Sequence, residues 1–279
     1  MDVAWVATHL HSLMVELGYA QYAAQGGDWG GMICSRIAYR FPQHCVALHL
    51  NFCVPVSMDW YGKLKVAVGL LFMSSEEWAA VKSTMYFLKY ETAYQQIQGT
   101  KPQSLAFGLN DSPVGLLAWH LEKFQSWSDC DGGPPDASGL SVDDILTNVS
   151  VYWFTECIGS SFRLYYETLG HHPRAKGSTA GAGGYVAVPT AILWSKRELI
   201  KPPRHVAEAA FNVRQWTVAK KGGHFHAFEQ PEQFVEDVIK FFRSTVDFVA
   251  CKLRAPAPGA GPGSQPGRFL VLGAAAAAA

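Results

Sequence analysis

The chain has 279 residues, and Lys+Arg and Asp+Glu number 23 each, so its formal net charge is zero. That balance excludes a long-range pull toward nucleic acid or an anionic membrane surface. Hydrophobic residues make up 49% and charged residues 16%, core material enough for one large domain or a core with a cap, and too much for a disordered chain.

In chain order, "MDVAWVATHLHSLMVELGY" sets apolar residues at helical spacing with His and acidic residues between them. It reads as an amphipathic helix over 3–17 rather than a signal peptide. "AQYAA" has the small and aromatic residues of a buried strand, 20–26, and "CVALHLNF" reads as a second strand, 45–52. Between them Met32, Ile33, Ile37, Ala38 and Phe41 recur at helical spacing, which predicts a helix over 30–41. A strand, helix, strand order predicts an α/β fold with a parallel sheet. Residues 1–55 form the first part of that core.

From 56 the character changes. "SEEWAAVKSTMYFLKYETAYQQIQ" and "VDDILTNVSVYWFTECIGSSFRLYYETL" read as long helical runs, so 56–184 is expected to be a helical cap over the sheet, with 176–185 as its connection. The core resumes over 185–250. "VAVPTAILW", 186–194, and "VRQWTVAK" read as strands, and "PEQFVEDVIKFFRSTV" as a closing amphipathic helix with Pro231 in its first turn. Residues 251–279 are rich in Pro, Gly and Ala and are expected to be disordered. The six cysteines show no CxxC pair, which favours a reducing compartment. No apolar run reaches the roughly 20 residues of a membrane span, and a cytoplasmic location is expected for the chain as written.

One turn carries the chemistry. "GGDWGG" places Asp28 between the first strand and the following helix, and Gly26 and Gly30 leave room for a tight turn. This is the context of a nucleophile elbow, whose usual occupant is Ser. The N-terminus of the helix favours an ionised carboxylate there. A nucleophile needs a base and an acid that orients it. "KKGGHFHAFEQP" supplies His224 after a strand and a Gly-Gly turn, with His226 a less suited neighbour, and "LWSKRELIKPP" supplies Glu198 after the preceding strand. The order nucleophile, acid, histidine is that of the α/β-hydrolases. "DCDGG", 129–133, lacks the Glu of a calcium loop and reads as a turn. "GAGGY", 181–185, stands in the wrong context for a nucleotide loop.

Together "GGDWG", "GTKPQSLAFGLNDSPVGLLAWHLEKFQSW", "RLYYETLG" and "GGHFHAFEQPEQF" resemble the epoxide hydrolases of the microsomal type, over residues 5–245. The resemblance implies that Asp28 attacks the epoxide carbon, that Glu198 is the acid and that His224 is the base. It implies that two cap tyrosines, Tyr94 and Tyr165, with Tyr166 the alternative to the second, donate hydrogen bonds to the epoxide oxygen. The backbone N–H of Trp29 would serve an oxyanion on Asp28. No cofactor and no metal are implied; the partners are a small apolar epoxide and water. The resemblance also implies relatives held at the membrane by an N-terminal anchor, a segment not expected in the chain as written.

Two departures set further expectations. Family members carry a His-Gly-x-Pro loop upstream of the elbow, and none precedes Asp28 here. Against the usual eight core strands about four are expected to be absent, so the sheet is expected to be incomplete on its N-terminal side, with an unpaired edge on strand 20–26 and weak activity for the chain as written. The alternative functions are a haloalkane-type dehalogenase with the same Asp nucleophile, or a non-catalytic remnant that binds apolar ligands.

Overall fold

The computed structural model describes residues 1–55, 58–170, 183–245 and the backbone of 271–275. Helix α1 (Val3–Glu16) starts on Asp2, whose carboxylate accepts from Trp5 N–H at 2.8 Å. Strand β1 (Tyr22–Gly27) runs into helix α2 (Asp28–Arg40), and strand β2 (Cys45–Leu50) follows. Helix α2 begins on Asp28 itself, two residues before the start expected from the apolar spacing.

The second half of the core holds strand β3 (Val186–Ser195), the short helix α10 (Arg204–Glu208), strand β4 (Phe211–Ala219), the four-residue helix α11 (His226–Glu229) and helix α12 (Pro231–Thr245). Between β2 and β3, within Trp60–Leu169, run the helices α3 to α9, here called the cap. All strand pairs are parallel, in the order β4-β3-β2-β1 and then a fifth strand, β5 (Val271–Ala275). Tyr22, Ala23, Ala24, Leu48, Leu50 and Ile192 are all buried. Strands covered on both faces suit such continuous apolar runs. Helix α12 covers one face, placing Phe241 and Phe242 against Ala23, Ala47 and Ala191.

Strand β5 corrects two expectations. Residues 271–275 are not disordered: they pair with β1 from Ala23↔Val271 to Gly27↔Ala275. The far edge of β1 is therefore covered rather than open. The remainder of the tail, and most of the 176–185 connection, lie outside the described residues.

The cap comprises α3 (Trp60–Gly69), α4 (Ser75–Tyr90), α5 (Ala93–Thr100), α6 (Pro102–Asp111), α7 (Pro113–Trp127), α8 (Val142–Thr155) and α9 (Ile158–Leu169). The two long runs read from the sequence are each broken once. The first ends at Glu91 and restarts as α5. The second breaks at Glu156, which takes a left-handed φ of 52° after α8. Capping boxes at Ser74/Glu77 and Ser141/Asp144 start α4 and α8, satisfying helix donors that have no internal partner. Among the described residues no helix is long and apolar enough to cross a membrane.

Candidate active site

The elbow is built by glycines. Asp28 has φ of 46°, a left-handed conformation that costs a non-glycine residue on the order of 1–3 kcal/mol and is found at functional turns. A Cβ on Gly26 would lie 2.2 Å from the Gly30 carbonyl oxygen, and one on Gly31 would lie 2.5 Å from that of Phe52. Only glycine lets strand and helix approach so closely. Trp29 follows in the first turn of α2, where backbone N–H groups have no partner inside the helix.

The second half of the core brings two residues to this turn. His224 lies in the loop after β4, and Glu198 in the loop after β3. Nδ1 of His224 is 2.6 Å from Oε1 of Glu198, and Nε2 is 3.8 Å from Oδ2 of Asp28. The His224 and Glu198 side chains are buried, whereas Asp28 keeps a fifth of its side chain exposed. Glu198 Oε1 also accepts from Leu199 N–H at 2.7 Å. Phe52 and Trp127 stand edge-on to the imidazole at 5.5 and 5.3 Å. Burial opposes a charged His224, but the carboxylates of Glu198 and Asp28 outweigh it and raise the imidazole to about 10. Arrangements with a carboxylate at each ring nitrogen favour the imidazolium.

The cap lowers two tyrosines over this group. Tyr94 on α5 and Tyr165 on α9 pack edge to face with centroids 5.9 Å apart, and Tyr165 stands edge-on to Trp29 at 4.8 Å. Both phenols are buried. Burial first, and the Asp28 charge second, push both above the ordinary phenol value, so both remain protonated donors at neutral pH. Tyr166 is half-buried, with the Arg163 guanidinium 4.8 Å from its ring centre. His226 is buried beside Phe234, with ring centres 6.4 Å apart, and lies under the Gly222 backbone.

Asp28, His224, Glu198, Tyr94, Tyr165 and Trp29 therefore meet in one place, although they span 197 positions of sequence from Asp28 to His224 when both ends are counted. The turn at 129–133 carries Asp131 and Gly132 at positive φ, and Asp129 pairs with Arg197 at 3.2 Å. Among the described residues no acidic, His or Cys group is disposed to hold a metal.

Lys123 carries no distinguishing signal in the sequence. It is buried, with Nζ 4.7 Å from the Tyr94 ring centre and 5.2 Å from that of Trp127. In sequence it is one charge on an amphipathic helix, and only the three-dimensional packing separates it from a solvated lysine.

Similarity to known proteins decides the family. Epoxide hydrolase 1 of Sus scrofa is 36% identical over 244 residues, 83% of this chain and 53% of that protein. The juvenile hormone epoxide hydrolase of Bombyx mori is 37% identical over 253 residues, 86% of this chain and 54% of that protein. The chain belongs to the epoxide hydrolase family. The crystal structure of the silkworm juvenile hormone epoxide hydrolase covers 88% of this chain and 59% of its own, at a TM-score of 0.76 and 35% identity. The Aspergillus niger epoxide hydrolase structure covers 88% and 58%, at a TM-score of 0.71 and 26% identity. Both family and fold are thus the α/β-hydrolase type of epoxide hydrolase. This member spans about half the length of the curated relatives it matches. No protein-family model matches the chain.

Proposed function

We propose that the site hydrolyses small apolar epoxides to vicinal diols through an alkyl ester on Asp28. The observation that carries this reading is the line from Glu198 through His224 to Asp28, at 2.6 and 3.8 Å, beneath the paired phenols of Tyr94 and Tyr165. The reading divides the chain into core segments 1–55 and 185–250 and a cap, 56–184.

In the first step an Asp28 oxygen bonds to an epoxide carbon and that carbon's bond to the ring oxygen breaks. The electron pair stays on the ring oxygen, which is an alkoxide and a poor leaving group. The hydroxyls of Tyr94 and Tyr165 donate to it and supply its proton. In the second step His224 Nε2 takes a proton from water, and the resulting hydroxide attacks the Asp28 ester carbonyl. The oxyanion formed on Asp28 meets the N–H of Trp29. On its collapse the diol oxygen leaves with the proton from His224, and the proton left on the Asp28 carboxyl returns to the tyrosinate, so the carboxylate, the neutral imidazole and both phenols are restored.

An Asp serves here where a Ser would not. A serine would open the epoxide to an ether, which this site has no means of hydrolysing, whereas the aspartyl ester has a carbonyl for water to attack. Esterification also changes His224. It removes the Asp28 charge, one of the two carboxylate influences that raise the imidazole. The histidine then gives up its proton more readily and becomes a base at the step that needs one.

The test is diol formation from styrene oxide, measured beside halide release from a chloroalkane. Diol without halide supports the reading. Halide without diol replaces it with the dehalogenase alternative, and neither product leaves a non-catalytic site.

A further inference from the structure

The loop that carries His224 has every backbone N–H from Gly222 to Phe225 occupied, and each goes to the same neighbourhood. Gly222 N–H donates to Asp129 Oδ2 at 3.0 Å, Gly223 N–H to Glu229 Oε2 at 3.0 Å, His224 N–H to the Trp127 carbonyl at 2.9 Å, and Phe225 N–H to Glu229 Oε1 at 3.1 Å. Glu229 Oε2 accepts one more, from Asp129 N–H at 2.7 Å. Residues 127–129 close helix α7 of the cap. A Cβ on Gly223 would lie 2.4 Å from the Trp127 carbonyl oxygen, so the two segments touch backbone to backbone.

We propose that Glu229 is a positioning residue: its buried carboxylate ties the cap segment 127–129 to the base-bearing loop and thereby sets where His224 stands over Asp28. Glu229 is 4% exposed and touches none of the reacting atoms. A buried carboxylate is costly unless hydrogen bonds replace its hydration, and three backbone donors do so here. Asp129 ties the same junction to the acid loop through Arg197, the neighbour of Glu198. The consequence for the reaction rests on the epoxide-hydrolase reading. Alkylation needs Asp28 and the tyrosines, whereas ester hydrolysis needs His224 in place, so loss of the tie falls on the second step alone.

The experiment is Glu229→Gln in the full chain. The amide keeps one acceptor but turns an N–H group toward a backbone N–H. Glu229→Asp, which keeps the charge and shortens the reach, is made beside it and takes its place if the glutamine variant does not fold. The first readout is the imidazole titration of His224 by NMR, which requires no substrate. The second is rapid-mix mass spectrometry with styrene oxide, which separates ester formation from ester hydrolysis. The expected result is a His224 titration moved down toward the ordinary imidazole value. Ester should form at the wild-type rate and its hydrolysis should slow on the order of 100-fold, the effect of displacing a catalytic group by about 1 Å. An unchanged His224 titration, hydrolysis at the wild-type rate, or an equal fall in both steps overturns the proposal. If the wild-type chain forms no ester with styrene oxide, it is the epoxide reading that fails, and the titration alone then decides the role of Glu229.

Discussion

Nε2 of His224 stands 3.8 Å from Oδ2 of Asp28, while its Nδ1 holds Oε1 of Glu198 at 2.6 Å. The second contact is a short charge-assisted hydrogen bond, which keeps a proton on Nδ1 and fixes the ring. The first is longer than a hydrogen bond. That gap lets Nε2 act on a third group, which in the proposed reaction is the water that attacks the ester. The asymmetry of the two distances thus separates orientation from catalysis.

Asp28→Asn is expected to abolish covalent labelling by an epoxide, because the amide is no nucleophile. His224→Gln is expected to form the ester and fail to release it. Intact-mass spectra after addition of styrene oxide read both outcomes, and an adduct on the Asp28→Asn protein would contradict the assignment.

Glu198→Gln keeps an acceptor at Nδ1 but removes the charge. Ester hydrolysis is expected to slow by about 10²–10⁴-fold, in line with neutralised acids in related triads, with alkylation little changed. Transient kinetics separate the two steps, and equal slowing of both would argue against an orienting role.

The pH behaviour follows from His224. Its folded value, raised to about 10, lies above the unfolded imidazole value of roughly 6.5. A raised base stabilises the fold fully below the unfolded value and loses that contribution as pH rises through the folded one. Stability is therefore expected to decline between pH 7 and 10 in the wild type. The decline should be smaller and end at a lower pH in Asp28→Asn, which mimics the uncharged ester. Urea denaturation across that range checks it, and identical profiles for the two proteins would show that the Asp28 charge does not reach His224.

Tyr94→Phe and Tyr165→Phe are each expected to slow alkylation by about 10²-fold, the scale of one lost donor to a developing oxyanion, and to leave ester hydrolysis near its wild-type rate. Tyr166→Phe is expected to change neither step. A Tyr166 variant as impaired as the Tyr165 variant would reverse the choice between the neighbours.

Glycine substitutions test the elbow by stability alone. Gly26→Ala puts a methyl 2.2 Å from a backbone carbonyl and is expected to cost about 3 kcal/mol or more. Gly108 lies inside α6 with nothing within 4 Å of a Cβ, so Gly108→Ala is expected to stabilise by roughly 0.5–1 kcal/mol. Chemical denaturation of the pair compares them directly.

Much of this was legible in the sequence because the signals are local. Four strands and the closing helix follow from apolar periodicity, and the elbow from four glycines around one acid. The helix breaks at Glu91 and Glu156 were not legible, since neither carries a Gly or Pro to mark it. Strand β5 was hidden because "VLGAA" in an Ala-rich tail becomes a strand only by pairing with β1, a tertiary effect that overrides local composition. The choice of Tyr165 over Tyr166 needs the orientation of α9 on Trp29. Glu229 reads as an ordinary helix-terminal acid; its partner Asp129 is 100 positions away.

The ester on Asp28 is the centre of the account, and isotope labelling tests it most directly. The wild-type chain, in excess over styrene oxide, is allowed one turnover in H₂¹⁸O. An ester on Asp28 gives an unlabelled first-turnover diol, its new oxygen coming from Asp28, with ¹⁸O appearing in the Asp28 carboxylate on peptide mapping. A labelled diol together with an unlabelled Asp28 would mean that water attacks the epoxide itself, and would contradict it.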